Sequence, residues 1–316
     1  MSLTDTPDTG TTRAALPSPT GRRATRATRA RSWAPYLFIS PFYVLFLLFM
    51  VVPITIGAFL SMTSWAGVGN PEWVGLDNYA RLFDDPSFYT ALFNTAVFTV
   101  GTMCVVLPLS LMIALALNAR GLRFRDFFRT VFFLPVVVSP IVVALVFGLF
   151  FDQQFGLVNG LTQATLGSPG IAWLTSPFWA KAVVIILVLW RWTGYLTMFF
   201  LAGLQNVAHE LHEAAQIDGA GPIRGFWSVT LPQLRPVTAF IGVTVLVSTA
   251  QIFEEPFLLT QGGPGEATMS VAQFIYRAAF QRQELGYASA AGVVMFVVVF
   301  ALGRIAIRVF GAGENR

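Results

Sequence analysis

The sequence predicts an all-α membrane protein with six transmembrane helices. The 316-residue chain is 55% hydrophobic and only 11% charged, whereas a soluble domain averages about 45–50% apolar and about 25% charged residues. Its mean hydropathy is +0.66, so lipid must cover apolar surface that no single core could bury. The apolar residues form six stretches, each long enough to cross a bilayer as a helix of roughly 20 residues. Backbone groups in lipid need internal partners, and the sequence lacks the alternating segments of about ten residues that build a membrane barrel.

The first element, residues 1–34, is predicted to be a disordered, basic cytoplasmic tail, because it is rich in Thr, Ala, Pro and Arg. Its Arg22-Arg23 pair is typical of a twin-arginine signal. However, the apolar run that follows, 36–60, is longer than the apolar core of a signal peptide, and no small-residue cleavage site follows it. We therefore expect this run to be the first helix of a transmembrane domain that spans 35–312.

The transmembrane domain is predicted to contain six helices, over 36–60, 91–117, 131–151, 182–203, 237–259 and 288–307. Pro53, Pro108, Pro135 and Pro140 fall inside these stretches and predict kinks, which neighbouring helices can tolerate by covering the freed carbonyls. The loop 152–181 is expected to lie outside as a lid of short helices or turns, and the loop 62–90 is also expected to lie outside. No loop is long enough for a separate soluble domain.

Basic residues predict the orientation of these helices. Most of them lie in the N-terminal tail, the second and fourth loops and the C-terminal end, while the opposite side holds only Arg81, Lys181, Arg277 and Arg282. The positive-inside rule then places both termini in the cytoplasm. The net charge of +4 is thereby explained by membrane topology, and we predict no binding to nucleic acid.

The most informative segment is the loop at about 205–235, between the fourth and fifth helices. Leu211, Ala214, Ala215 and Asp218 suit a short amphipathic helix. Asp218-Gly219 and Gly221-Pro222 end it in a sharp turn, and a second short helix over 223–230 is predicted to end at Pro232. A helix–turn–helix on the cytoplasmic face is well placed to transmit force from a partner. The alternative is an ordinary loop with two fraying helices.

This loop resembles the signature of the membrane subunits of bacterial ABC importers, which is Glu-Ala-Ala, three residues, Gly, nine residues, then Ile-x-Leu-Pro. Here the matching residues are Glu213-Ala214-Ala215, Gly219 and Val229-Thr230-Leu231-Pro232. The spacing matches throughout, and the one departure is Val229 in place of Ile. The resemblance implies the type I importer permease fold with a cytoplasmic coupling helix, in a bacterial inner membrane.

Further motifs resemble the carbohydrate-uptake branch of these importers, specifically the maltose-transporter-type first permease subunit. They are Val74-Gly75-Leu76-Asp77-Asn78-Tyr79, Asn94-Thr95, Leu259-Thr260-Gln261-Gly262-Gly263-Pro264 and Thr268. The resemblance implies a disaccharide, oligosaccharide or glycerol-phosphate type of substrate. It also implies three kinds of partner: a cytoplasmic ATPase dimer, a second permease subunit, and an extracytoplasmic sugar-binding protein or lipoprotein.

The resemblance also assigns roles within the loop. Glu213 would pair with a basic group of the ATPase, Ala214 and Ala215 would allow close packing, and Gly219 would make the turn, with Asp218, Leu231 and Pro232 completing the coupling site. The alternative is that Glu213 is a solvated carboxylate on a helix face, where an ion pair would contribute little to stability.

Several other chemistries are excluded by the sequence. The only Lys, Lys181, lacks the Gly-rich context of a phosphate-binding loop, so we predict no catalytic residues, no cofactor bound by this chain, and ATP and Mg on the partner ATPase. His209 and His212 are three residues apart rather than the four of a zinc-hydrolase helix, and the single Cys104 cannot form an intrachain disulfide. We therefore predict no metal site.

Polar residues at membrane depth are candidates for the substrate path. They are Trp190, Arg191, Trp192 and Tyr195 in the fourth helix, and Gln251, Glu254 and Glu255 in the fifth. Arg191 could bind sugar hydroxyls or an anionic group beside flat aromatic faces, or it could pair with Glu254 or Glu255 for assembly. Gln251 and Glu255 are predicted to share one helix face at i and i+4, although both glutamates could instead mark a helix end at the outer interface.

These patterns favour the permease subunit of an ATP-driven carbohydrate importer that works by alternating access. Two other classes remain open. An ion-gradient-driven secondary transporter would need intramembrane acids and repeats, and a membrane scaffold would need no hydrophilic path. Within the resembling family, the solute could also be an amino acid or a peptide.

Overall fold

A computed structural model describes residues 33–119, 121–167 and 170–311 of the chain. The predicted tail, 1–34, lies outside the described residues except for its last two. The chain separates into two compact units, Met1–Val52 and Pro53–Arg316. The described part of the first unit consists of one helix and a π-helical turn, and the second unit holds the remaining elements.

The described residues are mainly helical, and their helices α1–α15 are numbered in chain order. They are α1 Ala34–Phe46, α2 Val52–Leu60, α3 Asp77–Phe83, α4 Pro86–Asn118, α5 Arg125–Val137, α6 Pro140–Phe150, α7 Leu157–Leu166, α8 Pro177–Gln205, α9 His209–Ile217, α10 Pro222–Gly225, α11 Leu231–Gln233, α12 Arg235–Ala250, α13 Glu254–Thr260, α14 Val271–Tyr276 and α15 Leu285–Gly311. Three π-helical turns, Leu47–Val51, Phe226–Thr230 and Arg277–Gln281, join adjoining helices. A two-stranded antiparallel hairpin pairs β1 Thr63–Ser64 with β2 Glu72–Trp73.

The prediction of six transmembrane helices is confirmed when each bent helix pair counts as one span. Four spans are unbroken: Tyr36–Leu60, Pro86–Asn118, Pro177–Gln205 and Leu285–Arg308. α4 continues through Pro108, one of the four prolines expected to kink a helix. The other two spans are bent pairs.

The third span is bent rather than straight. α5 and α6 meet at an angle of 97°, with Val138 in an extended conformation and Ser139 outside the helical region between them. Pro140 explains the bend, because a proline disfavours the helical conformation in the residue before it and is well suited to begin the next helix. The predicted single stretch over 131–151 therefore consists of two short helices.

The fifth span also differs from its predicted bounds of 237–259. α12 ends at Ala250, and α13 begins only at Glu254. Pro256 accounts for the interruption, because a proline is tolerated in the first turn of a helix, where its missing N–H needs no partner, but not in a helix interior. The predicted i, i+4 face of Gln251 and Glu255 is therefore wrong, since Gln251 lies past the end of α12 and Glu255 lies within α13.

One of the buried cores of the second unit forms where α4, α8 and α12 pack together. Val106 and Ala114 of α4, Phe200 of α8 and Ile241 of α12 belong to one buried cluster. α5 approaches α8 closely at Gly194, where a Cβ atom would overlap the backbone carbonyl of Phe132. The glycine at this position is required by packing, because small residues let membrane helices approach closely.

The loop after α6 has a small core of its own. Asn159 donates hydrogen bonds to the carbonyls of Gln153 and Ile171 at 3.0 and 2.9 Å, and its Oδ1 accepts one from Trp173 Nε1 at 2.9 Å. Trp173 also packs edge-on against Phe151, with ring centroids 5.4 Å apart. The expected short helix in this loop is α7, and the predicted loop ends earlier than residue 181 because α8 begins at Pro177.

Candidate functional site

The first arm of the loop at 205–235 is α9, which ends in a specific hydrogen-bonded turn. Gly219 has φ +78°, a left-handed conformation that glycine adopts without strain. Its N–H donates to the carbonyl of Gln216 at 3.0 Å, and Ala220 N–H donates to the carbonyl of Ala215 at 2.8 Å. This pair of bonds is the Schellman arrangement, which satisfies the last carbonyls of a helix. Asp218, between Ile217 and Gly219, occupies the C-cap position.

The second arm runs as α10, a π-helical turn and α11, over residues 222–233. It therefore continues beyond Pro232, at which the second short helix was predicted to end. The widened π turn lies just before Pro232, and a regular helical turn there would press the proline ring against the carbonyl four residues earlier. The arm ends at Leu234, where the chain bends by 63° into α12.

A side-chain hydrogen bond joins the two arms. His212 Nε2 lies 3.2 Å from the hydroxyl of Thr230, which is buried. Within α9, His209 Nδ1 lies 3.1 Å from Glu213 Oε1, and both of these side chains are 62% exposed. The two histidines therefore contact different partners and do not converge on a common point.

The two arms expose large apolar side chains among polar and charged ones. We name the surface that they form the arm surface, and its exposed large apolar side chains are Leu211, Ile217, Ile223 and Trp227. Ala214 is exposed beside them, Ala215 is half-buried, and Leu231 and Pro232 are half-buried near the base of the second arm. An exposed apolar patch of this kind is typical of a protein–protein contact.

The candidate substrate path forms a single cavity of about 430 Å³ between α4, α8, α12 and α13. Six of the seven predicted residues line it: Arg191, Trp192, Tyr195, Gln251, Glu254 and Glu255. The seventh, Trp190, is not among the lining residues. It is 46% exposed and packs against Phe147 with ring centroids 5.7 Å apart.

An ion-pair cluster lies in the wall of this cavity. Arg191 Nη1 lies 3.1 Å from Glu255 Oε1 and 3.3 Å from Glu254 Oε2. The Arg191 and Glu255 side chains are only 11% and 9% exposed, whereas that of Glu254 is 56% exposed. The Arg191 guanidinium also lies 5.6 Å from the ring centroid of Trp192. Arg191 therefore pairs with both glutamates and also lines the cavity, so the pairing is observed while the binding of a solute by Arg191 stays a prediction.

Sequence reasoning missed four hydroxyl side chains of the cavity: Thr102, Thr244, Ser248 and Thr249. Thr102 Oγ1 is buried and has no hydrogen-bond partner among the described residues. Thr244 and Ser248 are one helical turn apart within an apolar stretch, and Thr249 follows directly. This cluster was a usable signal, since polar side chains at membrane depth are functional candidates by default.

Two motifs that lie far apart in the sequence meet in the structure. Asn94 of α4 donates hydrogen bonds to the carbonyls of Glu266 and Met269 at 2.8 and 3.0 Å. Its neighbour Thr95 accepts one from the N–H of Val271 at 3.0 Å. The Asn94-Thr95 pair therefore holds the loop that follows Gly262-Gly263-Pro264 against α4, and that loop leads on from the cavity helix α13.

Comparison with known proteins agrees with this arrangement. Residues 106–314 match the family described as "Binding-protein-dependent transport system inner membrane component". The chain is 39% identical to the "Probable ABC transporter permease protein YurN" of Bacillus subtilis, over 89% of this chain and 97% of that protein. It is 36% identical to the "Arabinooligosaccharides transport system permease protein AraP" of the same species, over 88% of this chain and 89% of that protein.

A solved structure has the same fold. It is the crystal structure of a bacterial alginate ABC transporter in complex with an alginate pentasaccharide-bound periplasmic protein. One of its chains matches with a TM-score of 0.77 and 25% identity, over 88% of this chain and 94% of that chain. The all-α type I importer permease fold expected from the resemblance is thereby confirmed. The chain belongs to the family of inner membrane components of binding-protein-dependent transport systems, as a permease of the ABC importer class.

Proposed function

We propose that this chain is the transmembrane permease subunit of an ATP-driven importer that moves a carbohydrate across the inner membrane by alternating access. The observation that carries the proposal is the cavity between α4, α8, α12 and α13, which combines aromatic, hydroxyl and charged side chains inside a membrane bundle. Binding sites for small molecules have this composition, with apolar walls and a few convergent polar groups. The sugar-transport names of two matched proteins, those for arabino-oligosaccharides and alginate, favour a carbohydrate over an amino acid or a peptide.

The arm surface is proposed to seat in a cytoplasmic ATPase dimer that binds ATP and Mg. Its exposed apolar side chains supply contact area. Glu213, which is 62% exposed beside His209, can exchange that exposed contact for a basic group of the partner. The His212–Thr230 bond ties the two arms into one unit, so that a push on α9 is transmitted to the second arm and on to α12. In this proposal the arm surface and both termini face the cytoplasm, in agreement with the positive-inside rule.

Two more partners complete the proposed machine. A second permease subunit would form the other half of the pore, and an extracytoplasmic binding protein would deliver the sugar. ATP-driven movement of the arms would alternate the bundle between outward-open and inward-open states. No bond of the sugar is made or broken by this chain, and energy comes from ATP hydrolysis on the partner.

An ion-gradient-driven transporter is the alternative from a different class. The intramembrane acids it would need are Glu254 and Glu255, but both contact Arg191. That pairing favours a structural or substrate-binding role over a proton relay.

Uptake by the complete transporter in proteoliposomes tests the proposal. We expect uptake of an oligosaccharide to require ATP inside and the binding protein outside, to stop when the ATPase is inactivated by mutation, and to continue when a protonophore collapses the proton gradient. Glu213→Ala should abolish uptake while leaving the subunit in the membrane. Uptake that survives loss of ATPase activity but stops with the protonophore would contradict the proposal and favour the ion-driven alternative.

A further inference from the structure

The charged groups of the cavity do not balance. Its lining contains one positive side chain, Arg191, and two negative ones, Glu254 and Glu255, for a formal net charge of −1. The other lining residues among the described ones carry no formal charge. Inside a membrane bundle this net negative charge interacts strongly with a charged ligand, because Coulomb interactions increase as the local dielectric constant falls.

Arg191 offers little of its charge to an anionic ligand, because both glutamates already neutralise it. Its Nη1 contacts both glutamates at 3.1 and 3.3 Å, and the side chain is only 11% exposed. An anion that drew Arg191 away would leave Glu255, which is 9% exposed, as a buried carboxylate without its ion pair. Leaving a buried carboxylate without its partner costs more free energy than Arg191 would gain from a contact with an exposed anion.

The groups that remain for a ligand include several hydrogen-bond acceptors beside the donors of Thr102, Ser248 and Gln251. Glu254 lines the cavity with a carboxylate that is 56% exposed. Thr244 and Thr249 already donate their hydroxyl protons to the carbonyls of Phe240 and Val245, at 2.8 and 2.7 Å, so only their oxygen lone pairs are free to bond a ligand. A neutral sugar brings many O–H donors to such a wall, whereas a carboxylate or phosphate group brings only acceptors.

We propose that this cavity accepts uncharged sugars and rejects anionic ones, such as uronates and sugar phosphates. Glu254 accepts hydrogen bonds from sugar hydroxyls, and Trp192 and Tyr195 provide the apolar wall. Arg191 and Glu255 form a fixed pair that orients Glu254 rather than a binding site for anions. The inference rests on the proposed carbohydrate function and narrows its substrate class.

The first part of the test identifies the charge of the transported sugar. A host that carries the complete transporter and an otherwise identical host lacking this chain are given a mixture of neutral oligosaccharides and uronic-acid oligosaccharides. Loss of each compound from the medium is measured by mass spectrometry. We expect depletion that depends on this chain to be confined to neutral sugars. Depletion of a uronic-acid oligosaccharide would overturn the proposal, whereas depletion of no sugar would contradict the carbohydrate function itself.

The second part locates the preference in the cavity. Saturation-transfer NMR on the purified transporter complex, without binding protein, compares the depleted sugar with a carboxylated analogue of the same sugar. The wild type should bind the neutral form roughly tenfold more tightly or better, because like charges brought together are strongly unfavourable. Glu254→Gln should reduce this ratio, while the control Glu284→Gln, which alters a carboxylate paired with Arg81 outside the cavity, should not. Equal binding of both forms by the wild type, or a ratio that Glu254→Gln leaves unchanged, would overturn the assignment.

Discussion

Gly219 shows how one residue fixes the geometry of the arm surface. Apart from its two neighbours in the chain, no residue has an atom within 4 Å of the position that a Cβ on Gly219 would occupy. Lack of room for a side chain is therefore not what requires glycine here. The reason is the backbone, because φ +78° closes the two hydrogen bonds that end α9. Asparagine tolerates this conformation better than alanine does.

Gly219→Ala is therefore expected to destabilise the turn by about 1–2 kcal/mol and to reduce ATP-dependent uptake. Gly219→Asn should be milder than Gly219→Ala. Gly221→Ala is the matched control, since Gly221 has φ −70° and is equally open. Uptake rates normalised to the amount of subunit in the membrane measure the effect. If Gly219→Ala and Gly221→Ala behaved alike, the conformational role of Gly219 would be wrong.

The buried ion pair between Arg191 and Glu255 is expected to stabilise the folded subunit. Arg191→Gln leaves Glu255 buried without its ion pair, at an expected cost of about 3 kcal/mol. The control is Arg81→Gln, which breaks the pair with Glu284, where the side chains are 54% and 31% exposed. That pair, together with the contact of Arg81 with the ring of Tyr287, should contribute only about 1 kcal/mol. Thermal unfolding of the purified transporter complex compares the two variants, and an equal loss in both would contradict the ranking.

At the scale of elements, the contact between α5 and α8 depends on Gly194. A Cβ on this residue would overlap the carbonyl of Phe132, and backbone cannot move aside as a flexible side chain can. Pairs of helices in membranes pack through such small residues because lipid provides little other drive for their association.

Gly194→Ala is expected to destabilise the subunit by about 2 kcal/mol, as overpacking does. Gly148→Ala in α6 is the control, because no atom lies within 4 Å of the Cβ position there, and alanine should be neutral or slightly stabilising in a helix. Yield and thermal stability of the purified complex measure both. A stable Gly194→Ala variant would show that α5 and α8 can separate without loss.

Element boundaries were predictable only where a local signal existed. The spans at 36–60 and near α4, α8 and α15 follow from apolar length alone. The 97° bend before Pro140 was signalled by that proline, although the sequence predicted only a kink. The break at 251–253 was not predicted, although Pro256 lies in the same stretch. Gln251 and Glu255 both line the cavity although no single helix carries them.

At the scale of the whole molecule, composition predicted the fold class and one spaced motif predicted the family. The cavity could be predicted only in part. Charged and aromatic residues at membrane depth are conspicuous in a sequence, which is why Arg191 and Glu254 were found. Thr102 was not, because its role depends on α4 packing beside α8 and α12, and such contacts between distant segments leave no local pattern. The meeting of Asn94 with the 266–269 loop was hidden for the same reason.

The central claim is that the arm surface faces the cytoplasm and seats on an ATPase. Cross-linking from single cysteines tests it most directly, in a Cys104→Ser background that removes the only native cysteine. In the assembled transporter, Ala214→Cys should cross-link to the ATPase and be shielded by it from a membrane-impermeant thiol reagent. Thr165→Cys, exposed in α7 of the opposite loop, should form no such cross-link and should react with the reagent from outside the cell. Labelling of Ala214→Cys from outside, or its failure to cross-link to any ATPase, would contradict the account.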